Sequence, residues 1–410
     1  MIVYIVDTFP SGSEWFIVNE IVSLKKLGLP IRVLAVNKGR YTAERSKWCI
    51  EETVYARSLL RSLGAHLYFL VTKTIRYCSV FAKVASKISF LSPVAFLKSI
   101  KVFSIGIDFL YQIRKLPADH IHAHFISLPA DIAMVMSQIA KLPFSVSAHA
   151  RDIYTSEPAK IVNLISKVQF VITCTRFNKV LLNNLAGPQL QHKINHIYHG
   201  IDSEKWPMKK RSNRYPAEEI RIISVGRLVE KKGIIWLLKA VRRLKLSGKK
   251  IHCSIVGDGP LRATLEAFVK SNGLDNEVWF CGELDQRSIR QVLAESDVFV
   301  LPCIVAVDGD MDGLPNVLPE ALSSGLPVIT TSISGITELI RHEITGLLVP
   351  CEDDGAIAEA ITRLFTDSKL YSTLVKNGRE IVERAFSIDA SSRKLYDIFK
   401  NRRKLHEGEM

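Results

Sequence analysis

Short apolar runs recur along the chain, most of them followed by a longer stretch whose apolar residues repeat at helical spacing. MIVYIVD precedes a helical pattern from Glu14 to Leu27, HIHAHF one from Pro129 to Lys141, and VQFVITCT one from Arg176 to Leu185, with IRVLAVN, FSVSAHA and INHIY as further runs. Continuous apolar runs alternating with helices predict βαβ units and parallel sheets covered on both faces. The alternation pauses from Ser203 to Glu219, SEKWPMKKRSNRYPAEE, a polar, basic stretch with two prolines that reads as a linker. It restarts with IRIISVG, KIHCSIVG, VWFCG, DVFVLP, LPVITT and GLLVP, and Asp389 to Lys404 then predict one more basic amphipathic helix. The expected architecture is α/β with two doubly wound, Rossmann-like domains: residues 1–203, a linker over 204–219, residues 220–386, and a C-terminal helix within 387–410 that returns toward the first domain. Two such domains facing each other would place the ends of two parallel sheets around a central cleft, where open α/β sheets bind ligands.

One region breaks this rhythm. From Arg57 to Lys115 there are ten basic residues and a single acid, Asp108, among many Leu, Ile, Val and Phe. Helices are expected there, with Leu67, Leu70, Val71 and Ile75 on one stripe and Lys73, Arg76 and Lys83 projecting elsewhere. The face is either a solvated basic surface behind a core-packing stripe, or one that rests on anionic lipid, where each basic residue contributes about 1 kcal/mol.

Composition narrows the class. A chain of 410 residues, 47% hydrophobic and 23% charged, is too long for one core and too apolar for disorder. Its net charge of +14 is lopsided, because residues 1–205 hold 25 basic and 13 acidic side chains and residues 206–410 hold 30 and 28. The first half suits an acidic partner, and nothing in it resembles a nucleic-acid reading motif. Seven scattered cysteines without a CxxC pair read as reduced core residues of a cytosolic protein. No stretch approaches the ~18 apolar residues of a membrane span, and the start reads as a first strand, not an export signal.

Candidate chemistry concentrates in DMDGLPNVLPEALSSGLPVIT, Asp310 to Thr330. Two acids, Asp312 and Glu320, lie eight apart, and Gly313 permits a loop whose Leu314, Asn316 and Val317 amides converge at a helix N-terminus, a setting that attracts phosphate or sugar oxygens. Glu320, inside that helix, suits a ribose diol, whose two donors match a bidentate acceptor. An acid pair at this spacing is by itself more often surface charge than a site.

With its glycine, proline and asparagine positions, the segment resembles the E-x7-E signature of the family 4 retaining glycosyltransferases of the GT-B fold, here D-x7-E. The resemblance extends to VGRLVEKKG (Val225 to Gly233), VGDGP (Val256 to Pro260), SGITELI (Ser334 to Ile340) and YHGID (Tyr198 to Asp202). In the first domain FPSGSEWFIVNEI (Phe9 to Ile21), HIHAHF and SAHARDIY (Ser147 to Tyr154) are similar to members that build surface polysaccharides. It implies a sugar moved from a UDP- or GDP-sugar donor to a lipid-linked or oligosaccharide acceptor, with retention. It also implies a donor-sugar contact by His149, a phosphate contact by Gly12, and an enzyme peripheral on the cytoplasmic face of the cell membrane.

The chemistry asks for the same parts. A departing nucleotide diphosphate gains negative charge, which Arg227 and Lys232 after strand IRIISV would stabilise. No acids at Asp-x-Asp spacing accompany that loop, so neither an obligatory magnesium nor any other cofactor is expected. His122, His124 and His149 also admit a metal reading, but no acidic ligand is placed with them in sequence. Asp152 either orients His149 or caps the following helix; Glu14 and Trp15 would face the acceptor. Asp312 is one methylene shorter than the family's usual Glu, so the donor sugar cannot be copied across. A nucleotide-sugar 2-epimerase of the same fold, or a non-catalytic basic membrane- or nucleic-acid-binding protein, are the alternatives.

Overall fold

The computed structural model describes residues 1–39, 47–85, 93–208 and 219–408. Lys87 of the basic region and most of the expected linker, residues 209–218, lie outside them.

The chain forms two compact units. One comprises Met1–Thr173, Lys179–Ile197 and the chain from Ser392 on; the other comprises Cys174–Asn178 and Tyr198–Ser391. The first is built on β1 (Ile2–Phe9), β2 (Ile31–Lys38), β3 (Val54–Tyr55), β4 (His120–His124), β5 (Phe144–Ala148), β6 (Val171–Thr173) and β7 (Ile194–His196), in the order β3-β2-β1-β4-β5-β6-β7. The second uses β8 (Ile220–Val225), β9 (Ile251–Val256), β10 (Val278–Gly282), β11 (Val298–Leu301), β12 (Val328–Thr331) and β13 (Leu347–Val349), in the order β10-β9-β8-β11-β12-β13. Every strand pair in both sheets is parallel. Parallel strands are covered on both faces, which is why β11 and the first five residues of β1 read as continuous apolar runs and why β8, interrupted only by Arg221 and Ser224, is also largely buried.

Both sheets have the doubly wound arrangement in which the order reverses beside the first strand. Switch points therefore fall between β1 and β4 in the first unit and between β8 and β11 in the second, and loops leaving those strand ends can diverge to admit a ligand. Helix Trp15–Lys26 covers one face of the first sheet, burying Ile17, Val18, Ile21 and Leu24 at helical spacing. The last helix, Ile388–Gly408, adds Leu395 and Phe399 to the same apolar cluster.

Two expectations are corrected. The cysteines are not all core residues: Cys49, Cys174, Cys253 and Cys303 are buried, while Cys78, Cys281 and Cys351 are exposed. The region from Arg57 is helical, as Leu59–Thr72, Thr74–Ala85 and Pro93–Ile113, but Leu67, Leu70, Val71 and Ile75 are exposed and do not form the core stripe. Helix Leu59–Thr72 instead buries Ser62, Ala65 and Phe69, small and aromatic side chains that let it lie close to helix Pro93–Ile113. Arg76 is only partly exposed, its guanidinium donating to the Ile139 carbonyl at 3.4 Å. Asp108 is consumed by Arg57, which donates to it from its backbone amide at 3.0 Å and from Nε at 2.6 Å. No helix among the described residues is long and apolar enough to cross a membrane.

Candidate active site

The second unit's site grows from the two strands at its switch point. β8 runs into a tight loop, Gly226 to Gly233, closed by a 3-10 turn at Glu230–Lys232. Gly233 holds φ +63°, and a Cβ there would stand 1.9 Å from the Pro302 carbonyl oxygen, so the loop is pressed against the chain leaving β11. The Ile304 amide completes that contact by donating to the Lys231 carbonyl at 2.9 Å. Gly226 leaves room for the Lys232 stem, whose Cε would lie 3.3 Å from a Cβ at that position.

These backbone constraints bring two lysines and two aspartates together. Lys231 Nζ donates to Asp310 at 3.0 Å and lies 3.4 Å from Asp312; Lys232 Nζ donates to Asp312 at 2.5 Å. Burial alone would raise the Asp312 carboxyl, but Lys232 and Lys231 outweigh it and hold the group below the ordinary carboxylate range. Burial likewise works against the Lys232 ammonium, and Asp312 more than compensates, so its pKa rises. Cys303 Sγ lies 3.6 Å from Asp312, and burial first, then that carboxylate, pushes its thiol far up.

The expectation that no acids at Asp-x-Asp spacing accompany this loop is corrected: Asp310 and Asp312 have that spacing, and the fold brings both to the loop, each matched by a lysine. Lys232, expected to meet phosphate, is held by Asp312, while Arg227 on the same loop is exposed. Leu314, Asn316 and Val317 lie at the entry to helix Val317–Ser323, with the Asn316 side chain 3.1 Å from His199 Nδ1. Glu320 within this helix is partly exposed as a residue, yet burial of its carboxyl pushes the pKa up to about 8, against the pull of Arg290.

In the first unit, β1, β4 and β5 lie side by side and carry a chain of polar side chains. The Tyr4 hydroxyl donates to Glu20 Oε1 at 2.8 Å, the same oxygen lies 3.2 Å from His124 Nε2, and His124 Nδ1 is 3.4 Å from His149 Nε2. His149 begins helix Ala150–Tyr154, with Phe16 and Phe125 packed on its ring at 5.1 and 4.5 Å between centroids. Asp152 accepts from the backbone amides of Ile126 and His149, so it ties the end of β4 to the start of the helix; burial pushes its carboxyl up to about 6. Gly12 is exposed in the 3-10 turn Gly12–Glu14, and burial pushes the Glu14 carboxyl up to about 7.

The metal reading is also revised, because an acid does join the histidines. The ligand atoms of Glu20, His122 and His124 all lie within 4.8 Å of one another. Both His122 nitrogens, however, are engaged by Ser145 at 2.7 Å and Ser147 at 2.9 Å, and Glu20 Oε1 is shared between Tyr4 and His124. Burial, with the neighbouring histidines adding to it, drives the His122 pKa well below its ordinary value, as suits a neutral ring inside a hydroxyl network. Sequence reasoning missed Glu20, Lys231, Asp310 and Cys303. The first has a faint signal in FPSGSEWFIVNEI; Lys231 and Asp310 become partners only through the adjacency of β8 and β11, while Cys303 meets Asp312 nine residues further along the chain that leaves β11.

Residues 207–381, which span all six strands of the second sheet and this lysine–aspartate cluster, match the family described as glycosyl transferases group 1. The chain is 28% identical over 415 aligned residues to the amylovoran biosynthesis glycosyltransferase AmsK of Erwinia amylovora, covering 95% of this chain and 97% of the relative. The fold is shared with HepE of Anabaena, solved in complex with UDP, at a TM-score of 0.71 and 17% identity over 98% of this chain and 99% of the other. It is shared too with a sucrose-phosphate synthase of Thermosynechococcus elongatus, at 0.73 and 19% over 98% and 99%. The fold is therefore GT-B, and the match over residues 207–381 together with a relative named as a glycosyltransferase along its whole length supports glycosyltransferase activity for the chain. That relationship does not favour the 2-epimerase or the non-catalytic alternatives.

Proposed function

We propose that this glycosyltransferase moves a hexosyl or related sugar from a nucleotide-diphosphate donor, a UDP- or GDP-sugar, to a lipid-linked or oligosaccharide acceptor, with retention at the anomeric carbon and without a metal. It would act in the cytoplasm, peripheral on the inner face of the cell membrane. The observation that carries the donor reading is the lysine–aspartate cluster at the β8–β11 switch point. Its cations lie beside acids that a diphosphate would replace as partners, and the D-x7-E pair continues from it.

In this reading Arg227, Lys231 and Lys232 take up the charge that develops on the leaving diphosphate, stabilisation that matters most in the transition state. Asp312, released from Lys232, accepts from a sugar hydroxyl; Glu320 accepts from the ribose diol. His149 and Gly12 are assigned to the donor sugar and phosphate on the family resemblance. The relatives' names and the UDP held by HepE support a nucleotide-sugar donor.

The test is a screen of nucleotide sugars by thermal shift, followed by transfer kinetics of single variants. Arg227→Ala and Lys232→Ala should each lower turnover by about 10²–10³, and Glu320→Ala should weaken donor binding as well. Wild-type kinetics for all three variants would move the donor site elsewhere.

A further inference from the structure

Helix Leu59–Thr72 is turned the unexpected way round. Its inward residues, Ser62, Ala65 and Phe69, cluster on one side, while Leu60, Leu63, Leu67 and Val71 share the other within about 80° of arc. Those four are 80%, 57%, 63% and 71% exposed, and Ile75, just into the next helix, is 86% exposed. Val94 and Leu97 at the start of helix Pro93–Ile113 are exposed as well. Scattered surface leucines are ordinary, but a continuous ridge marks a surface that something covers.

The charges beside it identify the occupant. From Arg57 through Ile107 the sequence contains no acidic side chain, and Arg61, Lys73, Lys98 and Lys101 on and between these helices are exposed. A second copy docking through the same face would bring these cations together. An apolar ridge flanked by cations alone matches a lipid surface, with acyl chains for the leucines and anionic phosphate headgroups for the cations.

We infer that the Leu60–Ile75 ridge inserts into the acyl boundary of an anionic membrane and is the hydrophobic anchor of this enzyme. The inference rests on the peripheral-membrane part of the proposed function, which it deepens, and changes its character. Attraction by charge alone disappears as salt shortens the Debye length from about 8 Å to about 3 Å, whereas buried leucines are indifferent to that change. The cations then govern the approach and the choice of anionic over neutral lipid, and the ridge governs retention.

The experiment is flotation of the full chain with vesicles of phosphatidylcholine, alone or mixed with phosphatidylglycerol, at about 0.15 M and about 1 M salt. The parent is expected to bind the mixed vesicles and to remain bound in part at the higher salt. Leu60→Gln, Leu63→Gln, Leu67→Gln and Val71→Gln combined should weaken binding by at least about tenfold at either salt. These side chains leave no core position empty, so the thermal shift with donor nucleotide should be unchanged. Arg61→Gln, Lys73→Gln, Lys98→Gln and Lys101→Gln combined should bind weakly but independently of salt. As a second measurement, a Leu67→Trp variant should show added fluorescence that brominated lipids quench.

Complete release of the parent at high salt, or added indole fluorescence that brominated lipids leave untouched, would overturn insertion while leaving an electrostatic membrane contact intact. Absence of binding to any vesicle would remove the membrane reading altogether. A parent dimer that the glutamine variant converts to monomer would assign the ridge to a second copy and overturn the inference.

Discussion

Glu320, with its carboxyl pushed up to about 8 by burial, is mostly protonated at neutral pH in the empty protein. A ribose diol offers two donors and so favours the ionised form; binding must then expel a proton. Below about pH 8 the donor's affinity should rise by up to about tenfold per pH unit and level off above it. Calorimetric titrations in buffers of different ionisation enthalpy should detect the released proton at pH 7, and Glu320→Gln should abolish both effects. A pH-independent affinity in the parent would mean that this carboxyl does not meet the diol. Stability carries the opposite slope. The folded pKa lies above the unfolded value, so this group's contribution is fully present below the unfolded pKa, is eroded as pH rises, and is lost above about 8. The empty Glu320→Gln variant should accordingly lose less melting temperature than the parent between pH 7 and 9.

The loop from Gly226 to Gly233 shows what single elements contribute and how far they could be read in advance. It holds Lys231 and Lys232 in place because Gly233 takes a left-handed conformation against the Pro302 carbonyl. Gly233→Ala has neither the space nor the conformation. It should lower stability by about 1–3 kcal/mol and weaken donor binding, checked by denaturant unfolding and nucleotide titration; a fully stable variant with parental affinity would show that the loop can relax. The strands leading into such loops were legible because burial on both faces leaves an apolar run. β3 was not, having only two residues, Val54 and Tyr55, at the sheet's edge. The Leu67, Val71, Ile75 stripe was legible as a stripe, but periodicity is blind to which side faces the core; the small Ser62 and Ala65 were the evidence for its direction. The D-x7-E pair could be found because one short segment carries it. Lys231 and Asp310, 79 residues apart, could not, since only the pairing of β8 with β11 makes them neighbours.

From Ser392 on, the chain's last helix belongs to the unit that its first strand begins. Phe399 is buried with its ring 5.6 Å from those of both His120 and Phe170 and 6.3 Å from Tyr4, so β1, β4 and the approach to β6 share an apolar cluster with the far end of the sequence. The first unit therefore cannot complete its core from the first half of the sequence, a long-range closure that also slows folding. Phe399→Ala should cost about 3–5 kcal/mol, as expected for an aromatic side chain removed from a packed interior, and Phe399→Leu clearly less. The loss should be local to one unit. Hydrogen exchange should show reduced protection in β1, β4 and β6, with β8, β9 and β11 unchanged, because the second unit has its own extensive apolar cluster that contains no residue beyond Phe386. Equal loss in both sheets would mean that the two units unfold as one, and unaltered protection in the first would mean that the helix adds nothing to its core.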